Sequence, residues 1–541
     1  GEGGEGGEGG EAEQGGGAAA VSGGGGGGGA APAEAEERVV ALSTALSIQT
    51  TAAQLQRFFE TKLEKLRKNL LGPPSHARRA LVFVDDVAMP QRDEGGASPP
   101  LELLRQVIDH GGFYDLRRRF FKEVANTAVV AACGPPGGAH PPLPSRLLRH
   151  FHVLWLPQLS KASIEHVYGS ILGGFFGSGS GGGGGAEAGT APFAEEVVAC
   201  GGAGAAAPLV RACVSLYEQT RAALLPTPAK CHYAFSLRDL SRLVFGLTRL
   251  TPPHCATADA LCGAWCHEAC RVFRDRLAGE GDRDAFDALV AGVCTAELGR
   301  AWQPSRFRES LWGSLTTAGG GYAPEEPGAV ASKLEAALAE YNQRNGAGAM
   351  ALVLFCDACR HCCRLLRVLQ SPRGHALLVG VGGSGRASLA RLAAHVCGFE
   401  AAGVALTRGY DAAAFRGDLK AFMMRAGCDG RPQVLSLTDV QLRHDPCMMA
   451  DTSALLGSGE VPSLFEPEDL DRIHEVVRPL AAAAGRAEAR ADVFALFTER
   501  LREKLHVVLS FSPVGGGLRA ACRAFPQLLS CCTIDWYDAW P

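Results

Sequence analysis

The chain has 541 residues, enough for roughly two to four domains, and its 53 basic and 57 acidic side chains nearly balance. That balance excludes binding to nucleic acid or a membrane surface through bulk charge, and no uninterrupted apolar run reaches the length of about 18 residues that a membrane span needs. The chain starts at Gly1 without a signal peptide, and its 19 cysteines are scattered, so we expect reduced thiols in the cytoplasm and a piece of a longer protein.

The first ordered segments are predicted after a glycine- and glutamate-rich tract, residues 1–36, which cannot bury enough apolar surface to fold. Apolar residues at helical spacing predict a helix over Gln54–Leu63, with residues 62–69 as its charged end. The apolar run Arg79–Asp86 is typical of a buried parallel strand, and its last two residues place the carboxylates of Asp85 and Asp86 at the strand's carboxyl edge. A solvated strand end is the alternative interpretation of this acid pair.

Further elements follow in the same alternating order. A helix is predicted from Pro99, and a second apolar strand over residues 125–133. Arg146 and Arg149 come next and lie one helical turn apart, a spacing suited to binding an anion or a neighbour's carboxylates. Ion pairs at the surface of their own domain are the alternative.

The middle of the chain is predicted to be a linker followed by helices. Residues 171–208 are rich in Gly, Ala and Ser and indicate a flexible insertion, whereas helical periodicity dominates from about 209 to 300. Two cysteine groups could suggest zinc. Cys266–Cys270 contains the start of H-E-x-x-H, but Arg271 stands where the second histidine belongs, and Cys356–Cys363 has no second ligand pair at zinc-finger spacing. We therefore expect no metal site and expect buried thiols that pack as small apolar groups.

The most informative segment is the apolar strand that leads from His375 into a glycine-rich turn and a helix. Its spacing matches G-x-x-x-x-G-K-[ST], in which backbone amides at a helix N-terminus hold phosphate. Arg386 replaces the lysine and Ala387 the hydroxyl residue, with Ser388 one place late. The segment favours nucleotide binding over hydrolysis, and a turn without a ligand is the alternative. The glycines of the predicted phosphate loop are Gly380, Gly382, Gly383 and Gly385.

Two more strands are predicted beyond this loop, over residues 434–440 and 505–512. The first of them ends in Thr438 and Asp439, where a Mg²⁺-binding acid and a catalytic acid are expected in a hydrolase. The second is followed by Arg519 and Arg523, four residues apart.

Several phrases together resemble the third and fourth AAA+ modules of axonemal dynein heavy chains. Those resembling the third module and its lid are residues 62–72, 82–90, 100–105, 111–114, 149–151, 225–230 and 233–242; those resembling the fourth are 350–363, 380–388, 456–462, 505–513 and 532–536. The resemblance implies an α/β fold of two consecutive P-loop NTPase modules with a helical lid between them. Its domains would be a third-module core at 37–170 that lacks its phosphate loop, the insertion, a lid at 209–330, and a fourth module with a degenerate loop at 331–541.

The resemblance also implies roles for individual side chains. Asp85 and Asp86 would be the acids of the third module, and Arg238 in the lid would sense that module's nucleotide. Arg146 and Arg149 would face the preceding module, while Arg519 and Arg523 would reach the third module's nucleotide across the interface.

At the level of the whole protein, the resemblance implies ATP-driven, minus-end-directed movement on microtubules in a cilium or flagellum. These two modules would bind ATP or ADP with Mg²⁺ in a regulatory role, with slow hydrolysis or none. Expected partners are other modules of the same heavy chain, dynein intermediate, light-intermediate and light chains, and microtubules, at the cytoskeleton of the axoneme. A catalytically inert structural segment of a ring is the rival interpretation.

Overall fold

A computed structural model describes residues 39–74, 77–115, 119–137, 141–177, 193–202, 207–301, 311–316, 322–404, 407–486, 488–538 and 540. The tract predicted to be disordered, residues 1–36, lies outside these ranges.

Strands occur in the first and last parts of the described chain, and the elements between residues 145 and 298 are helical. The helices are α1 Ala52–Lys62, α2 Pro99–His110, α3 Ser145–Leu148, α4 Lys161–Gly177, α5 Glu195–Gly201, α6 Pro208–Ala223, α7 Leu237–Leu247, α8 Ala258–Ala269, α9 Glu280–Leu298, α10 Pro327–Arg344, α11 Cys356–Leu369, α12 Arg386–Val396, α13 Ala412–Gly427, α14 Asp439–His444, α15 Pro446–Ser458, α16 Pro467–Ala483, α17 Arg490–Lys504, α18 Gly517–Ala524 and α19 Gln527–Cys531. The strands are β1 Val39–Ala45, β2 Glu64–Arg67, β3 Leu70–Gly72, β4 Arg79–Asp85, β5 Gly112–Tyr114, β6 Phe121–Val124, β7 Thr127–Ala131, β8 Leu311–Gly313, β9 Ala323–Glu325, β10 His375–Val379, β11 Glu400–Gly403, β12 Gln433–Thr438, β13 Leu505–Phe511 and β14 Cys532–Trp536.

The first sheet is parallel and has the strand order β1-β4-β7. Its central strand alternates: Ala80, Val82 and Val84 are buried, whereas Leu81 and Phe83 on the other face are only half-buried. Helices α1 and α2 cover the buried face, where Phe59 packs against Phe113 with ring centroids 6.1 Å apart. This sheet therefore has a core on one side.

The second sheet is also parallel, with the order β11-β12-β13-β10-β14. Every residue of β10 and β13 is buried. Leu377 and Leu509 pack into a core on one face, while Leu378 and Val508 pack into a separate core on the other. A strand covered on both faces reads as a continuous apolar run, which is why β10 and β13 were predictable.

The two sheets differ at the strand that follows the paired arginines. In the second, β14 pairs with β10 over His375–Cys532 to Val379–Trp536. In the first, residues 152–160 form no strand, and Leu154 and Leu156 are 84% and 85% exposed.

A third unit, the helical lid, lies between the two sheets in the chain and has its own core around Trp265, Phe273 and Phe286. Part of the predicted linker, residues 171–208, belongs to it: α4 extends to Gly177 and α5 is helical, and Leu172, Phe176 and Val197 are buried in the lid core. The linker prediction is wrong there, because these apolar side chains offset the low helical propensity of the neighbouring glycines. Residues 178–192 and 203–206 lie outside the described part of the chain.

A second difference concerns residues 62–69, predicted as the charged end of a helix. Helix α1 ends at Lys62, and the chain turns into the antiparallel pair β2 and β3. All four residues of β2 are exposed, so no buried stripe could distinguish helix from strand, and the strand depends on the distant partner β6 that pairs with β3.

The lid docks against the second sheet through charged groups. Arg364 on α11 pairs with Asp275 at 2.7 Å and with Asp535 of β14 at 2.8 Å. Arg367, one turn further, pairs with the buried Glu268 of α8 at 3.0 Å. The fold is thus an α/β assembly of two parallel sheets with a helical lid, as predicted.

Over the residues that the structure describes, none of the helices combines the length and the apolar character that crossing a bilayer would require.

Candidate functional site

The glycine-rich loop joins β10 to the N-terminus of α12. Gly383 and Gly385 both have a left-handed backbone, with φ of 85° and 71°, and Gly385 is the N-cap of the helix. This conformation costs an L-residue about 1–2 kcal/mol, so glycine is needed at the turn. The turn aims the first amides of α12, which have no partner inside a helix, towards the loop. The residues predicted to form a phosphate loop therefore have the required backbone arrangement.

Gly380 anchors the other end of the loop. Its amide donates to the carbonyl oxygen of Phe511 at 3.1 Å, and a Cβ placed on it would lie 2.7 Å from Cβ of Tyr537 and 3.1 Å from Oγ of Ser384. No larger residue fits there. Ser384 is buried within the loop, and its hydroxyl oxygen has no hydrogen-bond partner among the described residues. A buried hydroxyl without a partner at this position could be satisfied by a phosphate oxygen.

Arg386, which replaces the lysine of the motif, turns back onto the loop. Its guanidinium donates to the carbonyl oxygen of Phe511 and, at 3.1 Å, to that of Val381. Burial lowers the pKa of Arg386, and the nearby carboxylate of Asp439 opposes this effect. The guanidinium of Arg386 thus bridges the loop and the end of β13. To bind a phosphate it would have to leave these carbonyl groups.

The acid edge beside the loop is formed by the end of β12. Asp439 begins α14, and its Oδ2 accepts from the amide of Ser512 at 3.4 Å and from Arg443 at 3.3 Å. Thr438 caps the same helix: its hydroxyl oxygen accepts from the amide of Gln441 at 3.4 Å. In return, Oε1 of Gln441 accepts from the amide of Thr438 at 2.6 Å and from its hydroxyl at 2.9 Å. The structure therefore brings Asp439 to the loop and commits Thr438 to capping.

These residues fit phosphate better than they fit Mg²⁺. Phosphate would be held by the backbone amides at the start of α12, by the hydroxyl of Ser384 and by Arg386. Mg²⁺ prefers carboxylate and hydroxyl oxygens, and here Ala387 has none and Thr438 is already hydrogen-bonded. Ser388 lies half-buried inside the first turn of α12. Asp439, predicted as the catalytic acid, lies beside the loop, where its carboxylate acts on Arg386.

The acid pair of the first sheet lies at a different place. Asp85 ends β4 and its Oδ1 accepts from the amide of Asp86 at 3.0 Å. Asp86 has a positive φ of 53°, and its Oδ2 accepts a hydrogen bond from Nε2 of Gln527 at 3.4 Å. This contact brings α19 of the second sheet region against the end of β4. Asp86 therefore lies at the junction between the sheet regions, with Asp85 beside it in the chain.

Arg146 and Arg149 form ion pairs within their own region. Arg146 pairs with Glu102 at 2.7 Å and Arg149 with Asp109 at 3.2 Å, so both reach helix α2. Both side chains are more than half exposed, so each pair contributes at most about 1 kcal/mol. Of the two interpretations left open, the surface ion pairs are present, and a contact to a preceding module stays a prediction.

The remaining predicted arginines are exposed. Arg238 lies in the first turn of α7, and Arg519 and Arg523 lie on α18. The hydrogen bond that Asp86 accepts across the junction comes from Gln527, on the next helix. The role of Arg519 and Arg523 across the junction therefore stays a prediction.

Sequence reasoning missed three groups at the loop: Ser384, Ser512 and Tyr537. Ser384 lies between the motif glycines, so its position in the loop was a usable signal. Tyr537 packs behind Gly380, and its ring stacks on His361 at 3.9 Å. No local pattern marks Tyr537, because it reaches the loop through the pairing of β14 with β10.

Three family models match parts of this chain. Residues 32–159 match the "P-loop containing dynein motor region", residues 194–283 match the "Dynein heavy chain, ATPase lid domain", and residues 350–541 match the "P-loop containing dynein motor region D4". They follow one another in the order of the first sheet, the lid and the second sheet.

Curated relatives extend the match over almost the whole chain. It is 38% identical over 504 residues to "Dynein axonemal heavy chain 6" of Homo sapiens, covering 92% of this chain and 12% of that protein. It is 37% identical over 500 residues to "Dynein axonemal heavy chain 1" of Homo sapiens, covering 92% and 12%. It is 34% identical over 515 residues to "Dynein-1-beta heavy chain, flagellar inner arm I1 complex" of Chlamydomonas reinhardtii, covering 93% and 11%. The chain thus spans about an eighth of the length of these relatives.

Proposed function

The chain belongs to the axonemal dynein heavy chain family, and from that membership we propose that its 380–388 loop binds the phosphates of ATP or ADP in a regulatory role. The observation that carries the proposal is the loop itself: its glycine turn presents the free amides of the helix N-terminus, and the buried hydroxyl of Ser384 in the same loop has no partner among the described residues. A helix N-terminus attracts anions through its free amides and its dipole. The amides therefore supply much of the phosphate affinity without the motif lysine.

The proposed role is regulatory because the parts that hydrolysis needs are altered. Phosphoryl transfer requires a positioned Mg²⁺ and a carboxylate that orients water. Ala387 has no hydroxyl, Thr438 caps α14, and Asp439 remains as the acid beside the loop. Mg²⁺, when bound, would neutralise phosphate charge, and Asp439 would be its principal protein ligand.

In the first sheet region, Asp85 and Asp86 are proposed as the acid edge of a second nucleotide site. Arg238 from the lid and Arg519 and Arg523 from α18 are proposed to face phosphate there. Guanidinium groups pair with phosphate through two parallel hydrogen bonds, which suits an interface between modules. The hydrogen bond from Gln527 to Asp86 places the α18–α19 segment beside this edge and supports the proposal.

For the whole protein we propose ATP-driven, minus-end-directed movement on microtubules, with this chain as a component of the motor region. The proposed location is the axoneme of a cilium or flagellum. Its proposed partners are the other modules of the same heavy chain, dynein intermediate, light-intermediate and light chains, and microtubules.

One observation favours the rival proposal of an inert structural segment. The guanidinium of Arg386 is already hydrogen-bonded to Val381 and Phe511, so the loop is closed by its own side chain. Under this proposal the loop is a folded turn that takes no ligand, and ATP would not displace Arg386.

A pair of glycine variants separates the two proposals. Gly385 and Gly398 lie at opposite ends of α12 and have nearly equal φ, 71° and 72°, so valine strains the backbone similarly at both. In the regulatory proposal, Gly385→Val abolishes ATP binding measured by calorimetry with Mg²⁺, while Gly398→Val binds like the parent chain. Equal ATP affinity in both variants, or no saturable binding by the parent, contradicts the proposal.

The altered acid edge also predicts slow turnover. We expect the purified chain to hydrolyse ATP well below the roughly 1–100 s⁻¹ typical of kinases. A steady-state phosphate-release assay measures this rate, with Asp439→Asn as the control for residual activity at the loop. Turnover within the kinase range would show that the regulatory assignment is wrong.

A further inference from the structure

Three cysteine thiols meet inside the lid, away from the phosphate loop. Cys262 and Cys266 lie four residues apart on α8 and therefore on one face of that helix. Cys294 lies on α9, which packs against α8. The sulfur atoms of Cys262 and Cys294 are 3.1 Å apart, and all three sulfur atoms lie within 4.8 Å of one another.

The three thiols are enclosed by the lid core. Cys266 and Cys294 are fully buried and Cys262 is 3% exposed. Among the described residues this is the group of cysteine, histidine and acidic side chains whose ligand atoms converge closely enough to hold a metal ion. A buried set of sulfur donors without competing water favours soft cations over Mg²⁺ or Ca²⁺.

The spacing of the sulfur atoms suits one central ion. Thiolates bound to zinc at about 2.3 Å in a planar trigonal arrangement would lie roughly 4 Å apart. One separation is 3.1 Å and none exceeds 4.8 Å, so small rotamer changes would bring all three sulfur atoms into bonding range. Three cysteines from two helices thus provide a nearly formed coordination site.

We propose that Cys262, Cys266 and Cys294 bind a thiophilic d¹⁰ cation, Zn²⁺ or Cu⁺, as three thiolates. Binding releases the thiol protons to solvent and changes no oxidation state. The ion ties α8 to α9, and α8 also carries Glu268, which pairs with Arg367 of the second sheet region. The site is structural: it fixes the lid face that docks on the neighbouring module.

Sequence spacing did not group these three cysteines together. Cys266 was considered with Cys270, whereas the structure joins Cys266 to Cys262 on the preceding turn and to Cys294 on another helix. The third ligand is too far along the chain for a local motif, so the prediction that no metal binds depended on spacing alone.

Metal retention tests the proposal on the whole chain. The protein is stripped of metal under an anaerobic reductant, loaded with Zn²⁺ in one arm and Cu⁺ in the other, desalted, and assayed by mass spectrometry for metal. Cys294→Ala removes a proposed ligand, and Cys255→Ala is the matched control because it removes a fully buried thiol outside the cluster. We expect Cys294→Ala to retain about one ion fewer per chain, and Cys255→Ala to retain as many as the parent.

X-ray absorption at the metal edge gives a second measurement that needs no variant. The loaded parent chain should show a shell of three sulfur atoms near the thiolate distance of about 2.3 Å. Equal retention by Cys294→Ala and the parent overturns the proposal, as does a shell made of oxygen and nitrogen alone. A Cys262–Cys294 disulfide that persists under the reductant also overturns it, since those thiols are then not ligands.

Discussion

The two parallel sheets share a strand pattern but differ at their centre. In the second sheet, β10 lies between β13 and β14 and carries the phosphate loop at its end. In the first, the described strands are β1, β4 and β7, and the segment 152–160 that follows the arginine pair is exposed. The loop-bearing strand β10 therefore also organises the sheet around it. It pairs with β14, the last strand, and side chains on both of its faces are buried.

The largest expected difference between the two regions is the cost of removing a leucine. Leu377 in β10 is fully buried, so Leu377→Ala should lower the free energy of unfolding by about 2–5 kcal/mol. Leu154 is 84% exposed, so Leu154→Ala should change it by less than about 0.5 kcal/mol. Urea unfolding followed by tryptophan fluorescence measures both. A large loss of unfolding free energy in the Leu154 variant would contradict the comparison, because it would show that residues 152–160 are packed.

Acid should weaken the second sheet through a buried histidine. Burial, with the charges of His506 and Arg242, lowers the pKa of His375 to about 3. Its Nδ1 also accepts the amide of Val507 at 3.1 Å, which requires a neutral ring. The unfolded chain binds this proton near pH 6.5 and the folded chain does not, so stability is complete above pH 6.5 and falls as pH falls towards 3.

The expected slope from His375 is about 1.4 kcal/mol of unfolding free energy per pH unit, or about 2 kcal/mol between pH 6.5 and pH 5. His375→Gln removes the titrating ring and should flatten the pH dependence by that amount. Urea midpoints at several pH values measure it. His267 in the lid, whose pKa burial also lowers to about 3, should keep a residual slope in the variant. An unchanged slope in His375→Gln would contradict the assignment.

The smallest expected effect is at the contact between the two sheet regions. Lys62 at the end of α1 pairs with Glu460 at 2.8 Å, and both side chains are about a quarter to a third exposed. A double-mutant cycle with Lys62→Ala and Glu460→Ala should give a coupling energy of roughly 0.2–1 kcal/mol, reduced by salt. A coupling energy several times larger would contradict this prediction and would show that the two sheet regions are strongly coupled.

The fold could be predicted where buried segments leave a local pattern of apolar residues in the sequence. The strands ending at Asp85 and Val379 are apolar runs, and the glycines at 380–385 mark the loop between strand and helix. The residues 62–69 could not be assigned, because an exposed strand has no buried stripe and depends on a distant partner.

The candidate site was predictable in its backbone and less so in its side chains. Motif spacing located the loop, but the direction of Arg386 depends on the carbonyl oxygen of Phe511, far along the chain. Thr438 was predicted to be near Mg²⁺, and its capping contact with Gln441 shows why a strand-end hydroxyl can have another use. The three-thiol cluster also required the packing of two helices to become visible.

The ion pairs of Arg364 and Arg367, whose acidic partners are largely buried, hold the lid to the second sheet region. Pulling the lid away from β10 and β14 would separate Asp275 from Arg364 and would leave Glu268 with Arg271 of the lid in place of two arginines. Breaking a buried ion pair by removing one partner costs about 3–5 kcal/mol. The lid and the second sheet should therefore behave as one mechanical body. The exposed segment 152–160 connects the first sheet to α4 without helix or strand, so we expect a displacement of the first sheet to be taken up there and not passed to the lid.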